Sequence, residues 1–360
     1  MNKILEIWKH PEVFKDYNFT CLDAKIAFIQ KHRKQYEICN RVIKELNNRI
    51  DIDFIQDSEL LEYNTVKGLP EITFDEDFEE LFETNIFDKT VKTPEIDDFF
   101  FGKYRTVLKD GRLTIYRRDP ETHEIRKFTC GMPKHLAAVK ETLQKARDDK
   151  SLKDLGLPAP IEVSFIEDTH RALFADHIFL NRRLGRNGEV LEPLGYGKFR
   201  ETVVLQNGTI SKQNIVVEGL DWYPSDSDDV RSDMEHLVDY YNNSTLHPII
   251  KACLFKTCLV NMQPFRDGNK RVSRILLNYL LVRNGIPTVT INATEREKYF
   301  NSLNKAITTS DYSDFIKMVT DEIDYRCNQY INVIDKLNLE EKNIPTSKKV
   351  KADEDDEPKC

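Results

Sequence analysis

The chain has 360 residues, 40% of them hydrophobic and 10% aromatic, which is enough to bury a substantial core. Its net charge of -8 speaks against a nucleic-acid partner, because such domains carry a broad basic face. The apolar run RILLNYLLVRNG is broken by Asn and Arg well short of the roughly 20 residues a membrane span requires, so no span is expected.

Along residues 1–64, Leu22, Ile26 and Ile29, then Ile38, Val42, Ile43 and Leu46, recur three and four apart and predict helices. Residues 65–100 are acidic and Phe-rich with less regular helical spacing, and KTPEIDD reads as a loop. Between 101 and 130, β-branched and aromatic residues alternate with charges around DG and DPETHE turns, which predicts a small inserted antiparallel β element. A helix over 134–149 is closed by the Pro-rich GLPAPIE, and a domain boundary is placed near 155. Helical spacing returns over 163–181, and GYGKFRETVVLQNGTISKQNIVV then gives two strand-like runs about QNG, a hairpin over 201–217. Helices are expected at 229–243, 247–262, 269–284, 294–308 and 311–334, with Gly285 and Pro287 closing the third of these. The stretch 336–360 has few apolar residues and blocks of like charge and is expected to be a disordered tail. The fold class is therefore mainly α, divided into 1–155, 156–335 and the tail.

The seven cysteines, Cys21, Cys39, Cys130, Cys253, Cys258, Cys327 and Cys360, are never spaced as CxxC. They read as thiols of a reducing cytoplasm, without a zinc site. MNKILEIWKHPEVFKDY lacks the apolar core and small-residue end of an export signal, so a cytoplasmic location is expected.

The densest chemistry lies in NMQPFRDGNKRVSR, residues 261–274, between two apolar helical segments. Gly268 and Asn269 fall at a helix start, where unpaired backbone N–H groups and the helix dipole make a seat for phosphate. Arg271 and Arg274 share a helix face and can fork onto further phosphate oxygens. Asp267 beside this cationic cluster suits Mg²⁺, whose sites combine a carboxylate with phosphates and waters. The same residues also fit ordinary helix capping and a solvated basic face, and spacing alone leaves both readings open.

QPFRDGNKRxxR resembles the signature of the Fic (Fido) family of protein AMP transferases, with Gln263 where that family has His and every other specified position matched through Pro264, Phe265, Asp267, Gly268, Asn269, Lys270, Arg271 and Arg274. The likeness covers about 160–320, and its GYGKFR hairpin resembles the family's flap. The resemblance implies a Fic-type helical core with a β-hairpin flap, an ATP and Mg²⁺ requirement, and transfer of AMP to a Ser, Thr or Tyr hydroxyl of a protein aligned on the 201–217 hairpin. It makes Gln263 the position of the general base, Gly268, Asn269, Lys270, Arg271 and Arg274 the nucleotide seat, and Asp267 the metal residue. REKYFNSLNKA, with Tyr299, resembles the helix that closes over adenine. SELLEYNT near 55–65 resembles the family's inhibitory helix, with Ser58 and Glu62 as its inhibitory residues and Tyr63 where Gly or Asn is usual. Because Gln cannot hold the proton a base must take, weak transfer or none is expected of the chain as written. The alternatives are a nucleotide-binding pseudoenzyme or regulatory interaction protein, phosphoryl transfer, for which Lys270 is the pointer, and AMP removal through Glu62. The oligomeric state stays open.

Overall fold

The structure is a computed structural model that describes residues 2–35, most positions of a helical segment at 43–61, residues 104–109, 112–118, 125–130, 133–148, 159–174, 182–184, 190–193, 197–204, 210–212, 214–215 and 222–343. The expectations for Glu62, Tyr63 and Asn64, for 65–100, for the QNG turn and for 344–360 fall outside the described residues.

Two 3-10 turns, Lys3–Lys9 and Pro11–Phe14, open the chain, and the Asn2 side chain caps the first by accepting the Ile4 N–H at 3.2 Å. Helix α1 follows at Thr20–Gln35 and buries Leu22, Ile26 and Ile29, the apolar spacing of the sequence. In the segment 43–61, Ile43, Leu46, Asn47, Ile50, Asp51, Phe54, Ser58 and Leu61 are buried at steps of three and four, so one face carries both the apolar residues and three polar ones. Strands β1 (Tyr104–Lys109), β2 (Arg112–Arg118) and β3 (Ile125–Cys130) form an antiparallel sheet in the order β1-β2-β3. Helix α2 is Pro133–Asp148 and α3 is Val163–Phe174.

The helix expected over 163–181 is described over Val163–Phe174, and residues 175–181 fall outside the described residues. Strands β4 (Arg182–Leu184) and β5 (Val190–Pro193) pair antiparallel after it. Asn187-Gly188 lies between the two strands, a hairpin signal that the apolar pattern upstream obscured. Strands β6 (Thr202–Val204) and β7 (Ile210–Lys212) form a further antiparallel pair.

The remaining helices are α4 (Val230–Asn243), α5 (Pro248–Met262), α6 (Asn269–Val282), α7 (Arg296–Thr309) and α8 (Ser313–Asn343). Helix α8 carries the ordered chain into the region 336–360 that was expected to be a tail. Beyond the buried Ile334, the residues DKLNLEEKN are mostly good helix formers, and a helix continues on propensity after its apolar stripe has ended.

Helix α5 occupies the centre. It buries residues on every side from Ile249 to Met262 and packs against α4, α6, α7, α8 and the first 3-10 turn. A helix apolar all round has no face to give to water and must lie inside. His247 caps it by accepting the Ile249 N–H on Nδ1, and Pro248 takes the first turn, where its missing donor costs nothing. Among the described residues no helix is long and apolar enough to cross a membrane.

Candidate functional site

The loop 263–268 joins α5 to α6, and its conformation follows from a few residues. Gln263 ends α5 in the left-handed region at φ 48°, with its N–H on the Leu259 carbonyl at 3.1 Å. Its side-chain amide turns back and donates to the Val260 carbonyl at 2.6 Å. Pro264 cannot continue the helix. Phe265 is fully buried, with its ring 3.9 Å from the His170 ring at 15° and 5.2 Å from Phe199. Asn269 closes the loop on itself: Oδ1 accepts the Phe265 N–H at 2.8 Å, and Nδ2 donates to the Phe265 carbonyl at 2.7 Å. Gly268, left-handed at φ 76°, then opens α6 directly after the exposed Asp267, whose Oδ1 accepts the Gly268 N–H at 2.6 Å.

Two residues brace this loop from the hairpin side. Arg200 is buried, and Nε donates to the Gln263 carbonyl at 2.6 Å while NH2 donates to Met262 at 3.0 Å and to the Ser225 carbonyl. Its backbone N–H reaches the Pro264 carbonyl at 2.9 Å. A cation placed on the last carbonyls of α5 answers the negative end of that helix. Burial lowers the Arg200 pKa to about 10, against the raising pull of Asp226 and Asp233. His170, on α3, lies beneath the loop with Nε2 3.1 Å from the Asp267 carbonyl and Nδ1 accepting the Gly197 N–H at 3.0 Å. Burial pushes its pKa down to about 4, more than the Asp267 contacts raise it.

On α6, Arg271 is half-buried beside the loop, and Arg274 is buried at 1% exposure. The Arg274 guanidinium meets the segment 43–61, donating from Nε to the Ser58 hydroxyl at 2.8 Å and from NH2 to the Ser58 carbonyl at 2.9 Å. Lys270 lies with Nζ 5.2 Å from the centre of the Phe300 ring. Tyr299, one residue earlier, is inside the core, where its hydroxyl accepts from the fully buried Lys256 at 2.7 Å. Burial, reinforced by Arg274, holds the Lys256 amine well below its ordinary pKa.

The structure thus brings Gln263, Asp267, Gly268, Asn269, Lys270 and Arg271 together at one helix start. It sets Arg274 against Ser58 and Tyr299 against Lys256, and Glu62 lies outside the described residues. The first N–H groups of α6 precede any acceptor within the helix and give an anion its donors. Among the described residues no cluster of three or more His, Cys, Asp or Glu could hold a metal alone. A single exposed carboxylate beside a helix N-terminus is compatible with Mg²⁺, which takes few protein ligands when phosphates supply the rest. Sequence reasoning missed His170 and Arg200, although Arg200 ends the GYGKFR stretch singled out for the hairpin. No short motif marked His170, whose partners are 27 and 97 residues away.

Residues 160–281 match the Fic/DOC family. The chain is 33% identical over 131 residues to the protein adenylyltransferase Fic of Drosophila virilis, covering 36% of this chain and 25% of that protein. Its counterpart in Drosophila melanogaster is 34% identical over 131 residues, with 36% and 24% covered. The chain therefore spans about a quarter of the length of these curated relatives. A solved Fic domain containing signaling protein from Bacteroides thetaiotaomicron is 18% identical, covering 89% of this chain and 94% of that one at a TM-score of 0.46.

Proposed function

We propose, for a chain that belongs to the Fic/DOC family through its residues 160–281, that the loop 263–268 and the start of α6 bind Mg-ATP and transfer AMP to a hydroxyl of a target protein, with turnover held low by Gln263. The observation that carries this reading is the helix start itself: left-handed Gly268 opens α6 between the exposed Asp267 carboxylate and Arg271, so backbone donors, an acid and a cation meet at one point. Mg²⁺, when bound, neutralises phosphate charge, and Asp267 is the residue that would hold it.

In the reaction the target oxygen bonds to the α-phosphorus, the bond to the β-phosphate oxygen breaks, and pyrophosphate leaves. The hydroxyl proton needs an acceptor, and the amide of Gln263 is not basic at neutral pH. Losing a positioned base typically costs ~10²–10⁴-fold. Lys270 and Arg271 are read as phosphate contacts, and Ser58, which bonds Arg274, is read together with Glu62 as a brake. The pair β6-β7, with Ile210 exposed, is read as the strand edge on which a target aligns. The free thiols Cys21, Cys253, Cys258 and Cys327 fit a reducing cytoplasm.

A second reading, a nucleotide-sensing pseudoenzyme, is favoured by the 2.6 Å bond from the Gln263 amide to Val260, which gives this side chain a structural task at the base position. One experiment separates the two. Gln263→His combined with Glu62→Gly should transfer label from α-labelled ATP to itself or to a lysate protein at least ~100-fold faster than the unaltered chain. Label from γ-labelled ATP alone would make the reaction phosphoryl transfer. Binding of ATP without transfer would favour the pseudoenzyme, and absence of binding in both proteins would overturn the nucleotide site.

A further inference from the structure

His170 sits where three parts of the chain meet: its own helix α3, the residues Gly197–Arg200 that lead into the β6-β7 hairpin, and the loop 263–268. Both ring nitrogens are used, and the partners fix which one carries the proton. Gly197 offers an N–H at 3.0 Å, so Nδ1 must accept. The Asp267 carbonyl at 3.1 Å is an acceptor, so Nε2 must donate. The ring is neutral and protonated on Nε2, and its face is packed on Phe265, the residue that anchors the loop.

The contact to Asp267 has a geometric consequence one atom further on. In a trans peptide the C=O of one residue and the N–H of the next point in opposite directions. Holding the Asp267 carbonyl against His170 therefore turns the Gly268 N–H away from the ring, toward the side where the Asp267 carboxylate accepts it at 2.6 Å. That N–H immediately precedes α6, at the mouth of the anion seat. Left-handed Gly268 could rotate this peptide at little steric cost, so the orientation needs an external anchor. At the other end the chain approaches closely: Gly197 has φ 61°, and a Cβ there would come within 2.7 Å of the Glu167 carbonyl and 2.8 Å of the Arg171 Cβ.

We propose that His170 is a positioning residue for the anion-binding loop, one that orients the Asp267–Gly268 peptide through Nε2 and ties it to the root of the β6-β7 hairpin through Nδ1. This rests on the nucleotide-site reading given above for its purpose, though the peptide contact itself stands apart from that reading. The charged side chains acting on the ring are Asp267 from the loop, Arg271 from α6 and Arg171 from its own helix, and the hairpin root contributes the Gly197 N–H.

The test uses the full chain. A long-range ¹⁵N–¹H spectrum at about pH 7 should show the His170 ring protonated on Nε2; an Nδ1-protonated ring would overturn the proposal. Two variants divide the ring's work. His170→Gln keeps a donor within reach of Asp267, and His170→Asn keeps an acceptor within reach of Gly197. Mg-ATP should bind about tenfold more weakly to His170→Asn and within about threefold of the unaltered affinity to His170→Gln, with similar melting temperatures for both. Equal weakening in both variants would reduce His170 to packing and refute the positioning role. If the unaltered chain binds no Mg-ATP, the nucleotide reading fails by itself, and the backbone amides decide the peptide contact. The Gly268 amide should then shift in His170→Asn and the Gly197 amide in His170→Gln, and the reverse pattern would refute the assignment.

Discussion

Gln263 and His170 show how much a single side chain can settle in this loop. Gln263 ends α5 in a left-handed conformation and uses its amide on the Val260 carbonyl, so the loop keeps its shape without a titratable group at that position. His170 is titratable but kept neutral, and this has a consequence for acid stability. Its folded pKa of about 4 lies below the ~6.5 of an unfolded histidine, so the unfolded chain binds a proton that the folded chain refuses. The stability is fully present above pH 6.5 and is lost as the pH falls through the window down to about 4, by roughly 3 kcal/mol. Urea midpoints measured from pH 7 to pH 4 should fall more steeply for the unaltered chain than for His170→Phe, which keeps the ring on Phe265 and removes the titration. Parallel slopes in the two proteins would show that the ring does not titrate in this window.

At the scale of an element, the segment 43–61 is held by polar clasps spaced along its buried face. Asn47 accepts from the Tyr330 hydroxyl, Asp51 takes a two-pronged bond from Arg147 at 2.6 and 2.7 Å, and Ser58 meets Arg274. Asp53 lies 3.7 Å from Arg326, and the Leu61 carbonyl accepts from Arg296 at 3.4 Å. Of the two ion pairs, Asp51–Arg147 is the more deeply desolvated, with side chains 2% and 9% exposed. Removing one partner of such a pair leaves a buried charge behind. Arg147→Met should therefore lose about 3–5 kcal/mol in guanidinium unfolding, and Asp51→Leu added to it should recover much of that. A double variant no more stable than the single one would mean that the pair itself, and not the stranded carboxylate, holds the segment.

Across the whole molecule, the buried apolar residues of the N-terminal turns, α1, the segment 43–61 and α2 to α8 form one continuous cluster. Phe255 lies within it on the central helix, fully buried and edge-on to Tyr241 at 5.5 Å between ring centres. Phe255→Ala should cost about 3–5 kcal/mol, since the contacts around the removed ring close only partly. Because the cluster is continuous, far-UV ellipticity and tryptophan fluorescence should lose their midpoints together on denaturant unfolding. Midpoints that separate would show that the N-terminal elements melt apart from the central helices.

The local sequence determined what depends on neighbours a few residues away. The period of Leu22, Ile26 and Ile29 set α1, Pro248 and His247 set the start of α5, and Gly268 before Asn269 set the start of α6. The same short range marked Gln263–Arg274 as a loop and helix start, while spacing alone left phosphate binding and ordinary helix capping both open. It missed the strand pair β4-β5, and it failed where propensity outran the apolar pattern, as in α8 beyond Ile334. The tertiary structure decided the rest, because burial and long-range pairing have no local signature. It brought Ser58 to Arg274 across 216 residues, drew Tyr299 into the core beside Lys256, and placed His170 and Arg200 under a loop far along the chain. Each of these polar groups is desolvated by the fold, and each has to find its partner wherever the packed core brings one within reach.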